Sequence, residues 1–128
     1  MGTRSTYTFK DDNGEYTVYV HYDGYATGAA ENLAATLASG KIWELPSFEA
    51  DEFAAGFIAA IKERGGNVRL TTSPQQHADI EFSYTITQKD GELKIMVQSV
   101  NNWDGWQSET LWVGPLDEFI ESAAENLE

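Results

Sequence analysis

The stretch 5–22, STYTFKDDNGEYTVYVHY, alternates apolar and polar residues on both sides of a turn signal. Side chains on an extended chain point to opposite faces in turn, so a run of this kind can bury one face only as a strand. Asn13-Gly14 is a hairpin-turn dipeptide. The reading is a β-hairpin in which 5–10 pairs with 15–22. Tyr16, Val18, Val20 and Tyr22 then share one face, and Thr17, Tyr19 and His21 the other. Comparable runs follow at 67–72 (NVRLTT), 79–87 (DIEFSYTIT) and 92–99 (ELKIMVQS). Ile80, Phe82, Tyr84 and Ile86 share a face, Leu93, Ile95 and Val97 point inward, and Lys89-Asp90-Gly91 makes the turn between the two strands. A last strand is expected at about 106–113.

Between the strands the period changes to that of a helix. Thr27 stands where a cap is needed, and Ala30, Leu33, Ala34 and Leu37 form an apolar stripe. Gly40 is placed to stop this helix. After a loop holding Trp43, Ser47 is a cap candidate for a second helix. Glu49, Asp51 and Glu52 crowd its first turn, where the helix dipole favours anions. Phe53, Phe57, Ala60 and Ile61 form its buried face, Lys62 and Arg64 sit at its end, and Gly65-Gly66 terminates it. Pro115 suits the first position of a third helix, whose stripe is Leu116, Phe119, Ile120, Ala123 and Leu127. The order ββααββββα, rich in hairpins, predicts an α+β fold: two layers, a mostly antiparallel sheet of five or six strands, and three helices. AAENLA at 29–34 resembles AAENLE at 123–128, but the halves do not align elsewhere, so no internal repeat is assigned.

The 128 residues fit a single domain, 1–128, long enough to bury a core without staples. Cysteine is absent, which removes disulfide and thiolate chemistry. No apolar run approaches a bilayer span, and the expectation is a soluble, cytoplasmic protein. Against 8 Lys and Arg stand 21 Asp and Glu, a formal charge of -13. A field of that sign repels phosphate backbones and acidic membranes and favours basic partners. Direct nucleic-acid binding and membrane binding are therefore not expected.

Asp-Gly occurs twice between aromatics, as Tyr22-Asp23-Gly24-Tyr25 and as Trp103-Asp104-Gly105-Trp106. The dipeptide is first a turn signal, because Gly adopts positive φ at low cost and Asp bonds nearby backbone. Aromatics beside turns are also common interface anchors. Met1-Gly2-Thr3-Arg4-Ser5, followed by His21-Tyr22-Asp23-Gly24-Tyr25 and Gly28, resembles a group of small phage- and prophage-encoded proteins. These open with the same five residues and carry a His-aromatic-Asp-Gly-Tyr-x-x-Gly block. The resemblance covers about the first 40 residues. Members often have Pro where this chain has Ala26. It implies a phage or mobile-element context and supplies no mechanism.

Arg4, His21, Asp23 and Thr27 are the candidates for a small polar pocket. Arg can hold an oxyanion through two bonds, and a helix start with Gly24 and Gly28 nearby offers amides to an anion. Asp23 and Glu31 oppose an anion there, and the spacing is not that of a phosphate-binding loop. The structural alternative pairs Arg4 with Asp23. His21 and His77 are the only histidines, and nothing in the sequence brings them together. No metal-ligand spacing and no nucleophile elbow is present, so neither a metal nor a cofactor is expected, and the chain reads as non-enzymatic.

Asp117, Glu118, Glu121, Glu125 and Glu128 line one side of the last predicted helix. A row of this kind is either a solvated face or a mimic of phosphates that docks to a basic groove. The reading adopted is an acidic phage-type protein that inhibits a host nucleic-acid-handling protein or defence complex, in the manner of an anti-CRISPR. Asp23, Tyr25, Trp103, Asp104, Trp106, Asp117, Glu118, Glu121 and Glu125 would contact the partner, with Trp43, Trp103 and Trp106 as anchors. The alternatives are a small-ligand or nucleotide-binding module at Arg4, His21, Asp23 and Thr27, or a virion assembly protein. The sequence leaves the oligomeric state open.

Overall fold

Six strands form one mixed sheet: β1 (Ser5–Lys10), β2 (Glu15–Val20), β3 (Val68–Thr71), β4 (Phe82–Lys89), β5 (Glu92–Asn101) and β6 (Gln107–Pro115). Among the described residues three helices, α1 (Ala26–Ala38), α2 (Ala50–Glu63) and α3 (Leu116–Glu121), complete an α+β fold in the order ββααββββα, and a 3-10 segment, Ala123–Leu127, follows α3. The computed structural model describes residues 3–22, 24–39, 49–72, 80–89, 91–101 and 107–127. The strands lie in the order β3-β2-β1-β4-β5-β6. All neighbours are antiparallel except β1 and β4, which run parallel at the centre with Tyr7 opposite Tyr84.

The core grows from one face of the sheet. Tyr7 and Phe9 of β1 meet Phe57 of α2 at ring-centre distances of 4.6 and 5.3 Å. Tyr84 of β4 and Trp112 of β6 meet Phe119 of α3. These strand residues share a face by register, so α2 and α3 pack on the same side. Tilted pairs of this kind add about 0.5–1.5 kcal/mol each to the apolar burial. The opposite face of the central strands carries hydroxyls. Thr6, Thr8, Thr17 and Ser83 are all buried there, and Thr8 Oγ1 and Thr17 Oγ1 share a hydrogen bond at 3.0 Å. Cross-strand hydroxyl pairs satisfy groups that burial would otherwise penalise.

Several elements depart from the sequence reading. On α1 the buried face is Ala26, Ala29, Ala30, Leu33 and Thr36, while Leu37 is exposed. Thr36 tolerates burial because its hydroxyl donates to the Asn32 carbonyl one turn back, at 2.8 Å. Thr27 is not the cap: Tyr25 holds that position, and its carbonyl accepts the Ala29 amide. β2 ends at Val20 rather than at residue 22, and Tyr16 and Tyr22, expected on one face with Val18 and Val20, are exposed while those two valines are buried. Pro115 ends β6 and caps α3 rather than opening it. The third helix stops at Glu121, and the chain turns at Ser122 into the 3-10 segment. Ala123 and Ala124 are buried at the start of that segment.

Helix α2 is closed by chemistry from two sources. At its end Gly65, with φ +79°, follows the Arg64 cap. The Gly66 amide donates to the Ile61 carbonyl and the Gly65 amide to that of Lys62, the paired bonds of a Schellman closure. Its start is held from the β1–β2 turn. Asp11 Oδ1 accepts the amides of Asn13 and Gly14, and Asp11 Oδ2 accepts the Ala50 amide at 2.8 Å. One carboxylate thus shapes the hairpin turn and caps a helix 39 residues away in sequence. Gly14 does not have positive φ, so the carboxylate, not a left-handed Asn-Gly pair, holds this turn. Ser47, the cap candidate from sequence, lies outside the described residues.

The Ala50 amide first, then those of Asn13 and Gly14, hold the Asp11 carboxyl below the ordinary aspartate range, with burial opposing them. A depressed value stabilises the fold above the unfolded pKa of about 3.9, and the contribution is lost as pH falls through the folded value. Asp11→Asn keeps one acceptor oxygen but loses the charge and the second acceptor. Its melting temperature is expected below that of the parent at pH 7, with the gap closing towards pH 3. An undiminished gap at pH 3 would show that the charge is not the source.

Candidate functional site

The first candidate is the junction between β2 and α1, where the sequence placed Arg4, His21, Asp23 and Thr27. The fold brings Arg4 and His21 together, with Arg4 Nη2 at 3.4 Å from His21 Nε2. Arginine can only donate, so Nε2 is the acceptor in this contact, and Nδ1 lies 3.5 Å from the Tyr19 hydroxyl. Tyr22 stands edge-on to the imidazole at 4.5 Å. His21 is thereby packed between two tyrosines and a guanidinium. Thr27 is not part of this group. It lines a shallow cavity of about 200 Å³ between α1 and the C-terminal segment, with Glu31, Ile120 and Glu125 among its walls. Asp23 lies outside the described residues.

Gly24 explains why glycine follows the aspartate. Its amide donates to the Thr3 carbonyl at 2.8 Å, and its carbonyl accepts the buried Tyr84 hydroxyl. A Cβ at this position would sit 2.7 Å from the Thr3 oxygen and 2.8 Å from Ser5 Oγ. Its φ is not in the left-handed region, contrary to the usual turn argument. The requirement is close approach: the chain must pass against the start of β1 with no side chain between. Gly24 is thus a clamp joining the start of β1 and β4 just ahead of α1. Its flanking Tyr25 is exposed.

The second candidate is the C-terminal end. Asp117, Glu118 and Glu121 on α3 and Glu125 on the 3-10 segment are all exposed, as is Glu109 on β6. Asp117 Oδ1 accepts the Glu118 amide. Among the described residues none of these five carboxylates enters an ion pair, whereas Glu92 pairs with Lys94 at 3.1 Å. The break at Ser122 divides the row between two segments, so it does not form one straight helical face. Residues 95–128 contain no Lys or Arg. This asymmetry is visible in the sequence once charge is counted by region rather than over the whole chain. Trp103, Asp104 and Trp106, the second Asp-Gly unit, lie outside the described residues, as do Trp43, His77 and Glu128.

A further groove escaped the sequence reading. It encloses about 490 Å³ between the end of β2, α1 and the close of α2, with Tyr22, Asn32, Arg64 and Asn67 on its walls. Arg64 Nη1 donates to Asn32 Oδ1 at 3.5 Å, and Asn32 Nδ2 to the Tyr7 hydroxyl at 3.4 Å. The signal was Asn32, a polar residue next to Leu33 in the apolar stripe, which needs partners once helices pack around it. No family model, curated protein or solved structure matches the chain. Among the described residues no helix is long and apolar enough to cross a membrane.

The clamp makes a paired prediction. Gly24→Ala is expected to destabilise the fold by about 1–3 kcal/mol, the usual cost of overpacking, because one of the clashing atoms is backbone. Ser5 is fully buried, and its hydroxyl has no hydrogen-bond partner among the described residues. Ser5→Ala removes an unsatisfied polar group and should leave the melting temperature equal or higher. A loss of stability in Ser5→Ala comparable to that in Gly24→Ala would refute this account of the junction.

Proposed function

We propose that this chain is a non-enzymatic acidic binding protein whose C-terminal end engages a basic surface on a protein partner. The observation that carries the reading is the segregation of charge. Glu109, Asp117, Glu118, Glu121 and Glu125 are exposed and without cationic partners among the described residues, in a region with no Lys or Arg. Carboxylates that only solubilise a surface are usually interspersed with cations. A one-signed region of this kind steers a basic partner and orients its approach. Together with the phage-like N-terminal block, this supports a host protein that handles nucleic acid as the target, with inhibition by occupation of its basic groove. A defence complex of the CRISPR type is the specific form of target this reading names.

The second reading, a small-ligand module, draws on the Arg4–His21 contact. That guanidinium is directed to an imidazole that a ligand would have to displace, which weighs against it. A phosphate-bearing ligand that raises the melting temperature, with the shift lost in Arg4→Ala, would favour this reading instead.

The test of the acidic reading is kinetic. Asp117→Asn, Glu118→Gln, Glu121→Gln and Glu125→Gln are combined in one variant. Association with a partner captured from host lysate is followed for parent and variant at low and high salt. Association is expected to slow about tenfold in the variant at low salt, with dissociation much less affected. Equal and salt-insensitive association rates would remove these carboxylates from the interface.

A further inference from the structure

The two edges of the sheet differ in length, charge and protection. β3 is a four-residue edge strand, Val68–Thr71, and carries Arg69. The α2 end packed near it adds Lys62 and Arg64. Short strands and cations are the usual devices that stop an edge from pairing with another chain. β6, at the other edge, has nine residues, QSETLWVGP. It has β5 as its one neighbour among the described residues. It contains no Lys or Arg, and its proline stands at the very end. The register shift opposite Val97/Gln98 is the single irregularity in its pairing. Val113 is 61% exposed and Leu111 37%.

Trp112, between these two residues, turns to the core and meets Phe119. α3 therefore packs against β6 and β5, with Asp117, Glu118 and Glu121 exposed on it, and Glu109 is exposed on β6 itself. An open strand edge supplies a ladder of backbone donors and acceptors, and alternate side chains supply selectivity. Here the apolar contribution is Val113 and Leu111, and every charged residue on β6 and α3 themselves is acidic.

We propose that β6 is a docking edge for an extended, basic segment of a partner protein, which adds as a seventh strand with its cations facing Glu109 and the α3 carboxylates. The inference rests on the acidic-binding reading above and names the mode of contact. A second copy of this chain is the wrong occupant by charge: two chains at -13 would bring like-charged α3 helices together across the pair.

The probe is a synthetic nine-residue peptide alternating lysine with valine. Two controls have matched charge: one N-methylated at alternate residues, which cannot complete a ladder, and one interrupted by proline. Binding is followed by titration calorimetry and by amide exchange along β6. The expected result is protection of β6 amides by the plain peptide and affinity about tenfold lower for the N-methylated one. Val113→Lys should lower affinity similarly while Leu70→Lys, a charge-matched change on exposed β3, should not. Melting temperatures of both variants report whether they fold, and the peptide comparison does not depend on them. Equal affinity for all three peptides, with no protection at β6, would overturn strand addition and leave the acidic-binding reading standing. No binding of any of the three at low salt would count against both. A dimer in the absence of peptide that Val113→Lys abolishes would show that the edge serves self-association.

Discussion

The parallel seam between β1 and β4 is the constraint from which the rest of the fold follows. Parallel neighbours cannot be joined by a tight turn, so everything between them has to serve as the crossover: β2, α1, α2 and β3. Tyr7 and Tyr84 lie opposite each other across that seam, 5.0 Å between ring centres, and both are fully buried. Their rings reach Phe57 and Phe119 and so fix where α2 and α3 rest. The Tyr84 hydroxyl continues past the core to the Gly24 carbonyl, which sets the start of α1. A single aromatic row thus positions helices from both halves of the chain, and the Gly24 clamp is its polar extension.

The elements were legible where local pattern decides the outcome. β1, β4 and β5 alternate because one face carries the apolar core and the other carries mostly polar side chains, and α2 carries both its anionic first turn and its glycine stop in the sequence. What was not legible is long-range. The Asp11 carboxylate reaches Ala50 across 39 positions, and no local window contains that bond. The pairing of β1 with β4 is likewise invisible to alternation, which specifies faces but not neighbours. The α1 stripe was misplaced towards Leu37 because hydrophobicity was weighted over packing. Thr36 is buried instead because a bond within the helix satisfies its hydroxyl. The clamp at Gly24 was read as a turn, since Asp-Gly looks the same whether the glycine is needed for its φ or for its missing Cβ.

The candidate site was legible in part. Arg4 and His21 were singled out together, and the fold brings them into contact, but as a packed junction that Tyr19 and Tyr22 enclose. The exposed acids of α3 were correctly placed on the surface, yet the uniform helical face imagined for them is broken at Ser122. What replaces it is a broader distribution of like charge that includes β6. That distribution is a property of region, and it depends on α3 folding back beside the last strand rather than extending from it.

An unprotected sheet edge is normally a hazard, because it pairs with any compatible strand, including one from an identical chain. Lysine or an inward charge on the strand itself is the common remedy, and β3 follows it with Arg69. β6 has no cation and carries only Glu109 and a pairing irregularity, so under the proposal the rest of its protection from self-pairing comes from off the strand. The carboxylates of α3 fit that role: identical copies carry the same sign at the same place and repel as the edges approach. The defence is selective in a way that an edge lysine is not. Repulsion between copies becomes attraction for any extended segment of opposite charge, with the backbone ladder left intact to receive it. Charge segregation and an open edge, each unremarkable alone, are together what the proposed docking of a basic strand rests on.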